Sequence, residues 1–202
     1  MLYSILAKAK KKVVLGGNVR GVSTLALLKE ITNEHIAVLE LDSWQLQGFG
    51  DAKISPNISV FTTFFPDHMK YYENDMKKYF IDKANIFKYQ KSGDILIVGS
   101  QALPFVKKWG GSLKGKLIIP KENLPKGFIL NIPGEHNIYN ATLALAVARN
   151  IGIKDSKTKK TLANFKGVPG RLEFVRNLKG VKYYNDTTAT TPEATIAALR
   201  AL

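Results

Sequence analysis

Apolar and polar positions follow two periods along this chain. Short apolar runs at Val13–Leu15, Ile36–Leu41, Ile58–Thr63 and Asp94–Val98 read as buried strands. Between them the spacing becomes helical. Leu2, Ile5 and Leu6 share one face of a segment, Met1–Lys12, that ends in lysines, and lysines suit a helix C-terminus. Ser23-Thr24 opens a predicted helix through about Ile31. Met76, Tyr79, Phe80, Ile86 and Phe87 line one face of a predicted helix from about Asn74 to Gln90. A short helix follows Ser100. Strands alternating with helices predict an α/β fold, a doubly wound and mostly parallel sheet flanked by helices.

From Gly110 the pattern changes. Leu117–Pro120 and Gly127–Asn131 predict two short strands close together, a small hairpin or edge sheet rather than another βαβ unit. Pro133-Gly134 breaks the chain. The Ala/Leu-rich run to Asn150 predicts a strong helix, stopped near Gly152. Lys154–Ala163 predicts one more short helix. Val168-Pro169-Gly170 reads as a linker and divides the chain into residues 1–168 and 169–202. Beyond it, Leu172–Val175 and Val181–Tyr184 alternate as a hairpin around Lys179-Gly180. Thr191 then caps a last helix, with Pro192 in its first position.

Composition refines this picture only slightly. With 202 residues, 45% hydrophobic and 23% charged, the chain can build a core of ordinary globular character. It has no cysteine, which excludes disulfides and Cys-based zinc sites. No apolar run is long enough to span a bilayer, and a cytoplasmic setting is expected. The net charge of +14 favours anionic partners. The basic clusters at Lys8–Lys12 and Lys157–Lys160 carry no interleaved aromatics, however, so the charge reads as solvated surface and not as a nucleic-acid site.

Five positions are candidates for chemistry. Ligands of an open parallel sheet gather at the carboxyl ends of its strands. Glu40 ends the second predicted strand and His68 follows the third. A carboxylate and an imidazole there suit a Mg²⁺ or phosphate site, although each alone also fits an ordinary surface side chain. Lys83 falls on the apolar face of its helix. It reads either as a lysine whose stem packs while its head escapes to water, or as an amine of altered charge, because burying an ammonium is costly unless it is paired or modified. Asn137 and Asn140 share one face at a helix start, where free N–H groups and two amides can meet a ligand. The alternative is that Asn137 merely caps that helix.

These positions lie inside runs that resemble one family. Gly134-Glu135-His136-Asn137-x-x-Asn140-Ala141 is similar to the G-x-H-N-x-x-N signature of the Mur ligases, which folylpolyglutamate synthases share. Glu40-Leu41-Asp42-Ser43-Trp44-Gln45-Leu46 resembles the E-L-S-S-F-Q-L run of the D-glutamate-adding members, Pro66-Asp67-His68-Met69 their D-H-[LM] run, and Gly16-Gly17-Asn18 their G-G-N-I-G loop. Tyr79-x-x-x-Lys83 resembles Y-x-x-A-K, with Asp82 where alanine is usual. Gly167–Glu173 resembles G-L-x-H-R-x-E, with Gly170 for histidine, and Tyr184–Thr190 resembles I-N-D-S-K-A-T-N, with Thr188 for lysine.

The resemblance implies an ATP-dependent amide ligase of peptidoglycan precursor synthesis. Its substrates would be UDP-N-acetylmuramoyl-L-alanine, D-glutamate and ATP, joined through an acyl phosphate by a monomeric enzyme. It implies Glu40, His68 and a carbamylated Lys83 as the catalytic and metal-holding set for two Mg²⁺ ions. Asn137, Asn140, Arg171 and Asp186 would contact ATP, and Asn18, Ser43 and His68 the substrate. The family's phosphate-cradling G-x-x-x-x-G-K-[ST] loop has no full counterpart. Gly110-x-x-x-x-Gly115-Lys116 ends in Leu117 and leads into a strand. The resemblance places that loop ahead of Met1–Lys12, so this chain alone is expected not to turn over. The alternatives are another ligase of the folylpolyglutamate synthase type and a non-catalytic basic module that binds nucleic acid.

Overall fold

The computed structural model describes residues 1–202. Helix α1 (Leu2–Lys8) leads into strand β1 (Val13–Gly17), which pairs in parallel with β2 (Ile36–Glu40). Helix α2 (Ser43–Asp51) follows, then β3 (Ile58–Phe61), α3 (Met76–Lys88), β4 (Ile95–Val98), α4 (Leu103–Trp109) and β5 (Lys116–Ile118). Strands β3, β4 and β5 form a second parallel sheet in that order. Helices α5 (Glu135–Asn150) and α6 (Asp155–Ala163) come next. They are followed by the antiparallel pair β6 (Glu173–Leu178) and β7 (Val181–Asn185), and last by α7 (Pro192–Arg200).

The period-2 pattern of β3 and β4 explains why helices cover both faces of their sheet. Leu96 and Val98 join Phe61, Phe64, Tyr79, Phe80, Phe87 and Val106 in one core, on the side of α3 and α4. Ile97, between them, faces Leu143 and Val147 of α5. All three β4 side chains are 0–1% exposed, and burial of each such side chain stabilises the fold by about 1.5–3 kcal/mol. Helix α5 reaches beyond this sheet. Its Ala141, Ala144 and Ala148 pack with Ile5 and Leu6 of α1 and Leu162 of α6, against Val13, Ile36 and Val38. Small side chains there let three helices approach closely. Helices α2 and α3 meet at Gly50, where a Cβ would stand 2.5 Å from Asn85 Nδ2. That amide donates to the Leu46 carbonyl at 3.1 Å.

Two sequence expectations are corrected. Residues 23–31 contain only a 3₁₀ turn, Leu25–Lys29, whose Leu25 and Leu28 are 78% and 69% exposed. A helix with no surface to bury its apolar positions against gains little beyond propensity. Leu117 belongs to β5, which pairs in parallel with β4 after the α4 crossover, and residues 127–131 form no strand. The region is therefore a further βαβ unit and not a hairpin. Its crossover helix is only seven residues long, too short to show a clear period.

Candidate active site

The site forms where strands end. Gly17 and Glu40 close the β1–β2 pair in register, and the Asn18 N–H donates to the Glu40 carbonyl at 2.6 Å. This turn requires glycine. Gly17 has φ +85°, and a Cβ on it would lie 2.0 Å from that carbonyl oxygen. The Asn18 and Glu40 side chains are left exposed at the strand ends.

Two residues on, Asp42 caps α2. Its Oδ1 accepts the Gln45 N–H at 2.8 Å, and Gln45 Oε1 accepts the Asp42 N–H at 3.2 Å, a reciprocal capping box. Ser43 was expected at the substrate, but it is 1% exposed. Its hydroxyl lies beside Tyr72 without a hydrogen bond of normal geometry. It stands at the start of α2 with its hydroxyl unpartnered.

The segment after β3 is held from the neighbouring strand end. The Gln101 side-chain amide donates to the Phe64 carbonyl at 2.9 Å and accepts the Phe64 N–H at 2.7 Å. Further along, Asp67 Oδ1 accepts the His68 N–H at 2.8 Å. His68 sits at φ +54°, an uncommon conformation for a residue with a side chain. Its ring lies 4.4 Å from that of Trp44 and 6.4 Å from that of Tyr79, between centroids.

Lys83 completes this cluster. Its Nζ lies 5.1 Å from the Tyr79 ring centroid. The side chain lines a cavity of about 70 Å³ with Leu41, Val60, Thr62, Thr63 and Ile86. The residues just past β2 and just past β3 thus share one cavity, and Lys83 lines it with them. Burial pushes the Lys83 amine below its usual range, while the charges of Asp67 and Asp42 oppose that shift. These two carboxylates, and the Trp44 ring, are the parts of the site that sequence reasoning missed. Both acids stood inside the quoted runs, but nothing in the sequence set them beside Lys83.

A second cluster surrounds the start of α5. Gly134, at φ +102°, is the N-cap, and no side chain caps the helix. Asn137 instead lies in the first turn, where its amide donates to the Pro133 carbonyl at 2.7 Å. Asn140 is exposed. Burial lowers the His136 imidazole, and the charge of Asp186 opposes this. Asp186 Oδ1 accepts the Leu172 N–H at 2.8 Å, which fixes the turn beside the exposed Arg171. Thr188 is committed to structure, since its hydroxyl donates to the Gly170 carbonyl at 2.7 Å. The two clusters are linked through strand ends. Thr62 of the Lys83 cavity abuts Gly99, and Gly99 abuts the Tyr139 hydroxyl of α5.

No three His, Cys, Asp or Glu side chains converge into a metal cage. Mg²⁺ keeps several waters and binds through one or two carboxylates plus substrate phosphates. The exposed Glu40, and Asp42 and Asp67 whose charges act on Lys83, are oxygen donors of the type such an ion would take.

Comparison with known proteins gives the family and the fold. Residues 1–118 match the Mur ligase middle domain family. The chain is 35% identical to the UDP-N-acetylmuramoylalanine--D-glutamate ligase of Prochlorococcus marinus, over 100% of this chain and 48% of that protein. Its fold is similar to MurF from Acinetobacter baumannii, with a TM-score of 0.77 and 19% identity, over 100% of this chain and 50% of that one. It is also similar to MurF ligase from Thermotoga maritima in complex with ADP, with a TM-score of 0.74 and 20% identity, over 100% and 52%. The chain spans about half the length of the curated relatives it matches.

Proposed function

The chain belongs to the Mur ligase family, and from that premise we propose that it serves ATP-dependent amide-bond formation, the addition of D-glutamate to UDP-N-acetylmuramoyl-L-alanine. The observation that carries this reading is Lys83, a half-buried amine under the charge of two carboxylates where β2 and β3 end. An amine in that position is poised to change charge, which is what a site handling phosphoryl and carboxylate anions needs.

In this reaction the γ-phosphoryl of ATP passes to the substrate carboxylate. The D-glutamate amine then attacks the acyl carbon, and phosphate leaves as its bond to that carbon breaks. Glu40, His68 and Lys83, the last as its carbamate, would hold two Mg²⁺ ions. Bound there, Mg²⁺ neutralises charge on the phosphoryl and carboxylate oxygens. Asn18 would orient the substrate beside Glu40. Asn137 and Asn140 would take the adenine at the α5 start, with Arg171 and Asp186 near the phosphates and ribose. Residues 1–168 would form the ATPase unit and residues 169–202 the beginning of an amino-acid-binding unit, in a monomer working in the cytoplasm. No helix is long and apolar enough to cross a membrane.

The test uses the whole reading frame that encodes this chain. Its product is expected to release ADP only when both UDP-N-acetylmuramoyl-L-alanine and D-glutamate are present, and to support growth of cells depleted of their own D-glutamate-adding ligase. ADP release that ignores D-glutamate, together with failed complementation, would overturn the proposal.

A further inference from the structure

One carboxylate oxygen ties three elements together behind His68. Asp82 Oδ2, on α3, accepts Gln47 Nε2 of α2 at 2.7 Å and the Tyr72 hydroxyl of the segment between β3 and α3 at 3.0 Å. Gln47 Nε2 also donates to the Tyr71 hydroxyl at 3.2 Å. The Tyr71 and Tyr72 N–H groups both donate to the His68 carbonyl, at 2.9 and 3.3 Å. Gln47 and Asp82 each have a neighbour one helical turn away whose ring packs against the imidazole. Trp44 lies three positions before Gln47 on α2, and Tyr79 three before Asp82 on α3, so each pair shares a helix face. The Trp44 and Tyr79 rings flank His68, and Trp44 also packs edge-on against Tyr71 at 5.6 Å.

We infer that Asp82 is a positioning residue: through Gln47 and Tyr72 it holds α2 and the His68 turn against α3, so that the imidazole stays fixed between Trp44 and Tyr79. The need for such a device follows from the backbone. His68 occupies a left-handed conformation and carries an exposed side chain. Such a residue persists only where its surroundings over-determine it. Asp82 is 35 residues from Gln47 and 10 from Tyr72 in sequence, so this hold is tertiary and not part of the turn itself. The relevance of the fixed ring to metal or substrate rests on the ligase reading given above. The hold itself does not.

The chain has three histidines, so the His68 ring proton resonance can be assigned by its loss in His68→Gln. In the unaltered chain it should be displaced upfield by the Trp44 ring. Asp82→Ala should return it toward the position of a free histidine while the far-ultraviolet dichroism stays native. Asp82→Asn, which keeps an acceptor oxygen, should preserve it. Gln47→Leu removes only the α2 arm and serves if Asp82→Ala does not fold; it should give a smaller displacement of the same sign. A clamp of merely structural value predicts lower thermal stability with the His68 resonance unmoved in both Asp82→Ala and Gln47→Leu, and that result would overturn the inference. Titration with Mg²⁺ alone, followed on the same resonance, should weaken on the order of 10-fold in Asp82→Ala. Should the unaltered chain ignore Mg²⁺, the ligase reading suffers, while the ring displacement still decides the role of Asp82.

Discussion

Tyr139 reaches out of α5 to accept the backbone N–H of Ser100 on its hydroxyl, across 39 residues of sequence. The contact fixes the start of the helix that carries Asn137 and Asn140 against the carboxyl end of β4. Ser100 Oγ lies 3.2 Å from the same hydroxyl and donates to Glu122 at 2.6 Å. Gly99 leaves the room, since a Cβ there would stand 2.4 Å from the phenol oxygen. Tyr139→Phe should strand the Ser100 N–H and cost about 1–3 kcal/mol in urea unfolding. If the α5 start takes adenine, the same variant should also weaken ATP binding, measured by calorimetry. Unchanged stability would mean that water replaces the hydroxyl without loss.

Gly17 and its neighbour Gly16 should respond differently to alanine. At Gly17 the added Cβ meets the Glu40 carbonyl at 2.0 Å, and φ is +85°. Backbone must move, and the loss is expected to be about 1–3 kcal/mol. At Gly16 the nearest atom is Leu27 Cδ1, at 3.0 Å, the far end of a flexible side chain. Gly16→Ala should therefore be clearly the milder change. Urea midpoints of the two variants, compared at equal slope, check the order.

The strands β1 to β4 were legible because each is a short apolar run, largely buried in β4 and partly buried in the others. Lys83 was legible because helical spacing put a charge on an apolar stripe. The misreadings have local causes. Leu25 and Leu28 have the spacing of a helix but no surface to bury against, so pattern alone overstated the element. Leu117 lies three residues before Pro120, and the proline suggested a hairpin where the chain in fact completes a parallel strand at the edge of the sheet. Asp42 and Asp67 stood in view as parts of motifs, yet neither spacing nor charge said that they would face Lys83. That depends on how α2 and the His68 turn dock on α3, which is a matter of tertiary packing. Asn137 looked like a cap because caps favour that residue type, but Gly134 takes the cap at a positive φ.

Tyr72 makes stability pH-dependent in alkali. Burial pushes its phenol from 10.0 up to about 12, opposed by the nearby Ser43 hydroxyl and reinforced by Asp82. The folded chain thus keeps its proton where the unfolded chain has lost it. The stabilisation is fully present below pH 10 and is lost as pH climbs through about 12. Tyr72→Phe has no such proton to lose. Its urea midpoint should start lower, for want of the bond to Asp82, and fall less steeply over that window. Parallel slopes for the two chains would sink the assignment, because the other tyrosines contribute equally to both.

Lys83 offers the sharpest test, because burial and its neighbours pull in opposite directions. Its folded pKa lies below the ordinary 10.5, with burial as the cause and Asp67 and Asp42 opposing. In the window between those two values the unfolded chain binds the extra proton, so this residue's contribution to stability rises with pH there. More neutral amine is also available to react with carbon dioxide. The product, however, is an anion placed beside two carboxylates, which like-charge repulsion disfavours. A divalent cation removes that objection. Labelled bicarbonate alone should therefore give little carbamate at Lys83, while bicarbonate with Mg²⁺ should give a ¹³C carbamate signal that Lys83→Arg abolishes. Asp42→Ala takes away one of the opposing charges, so it should make the carbamate less dependent on Mg²⁺. A signal that needs no Mg²⁺ in the unaltered chain would show that Asp42 and Asp67 do not act on this amine.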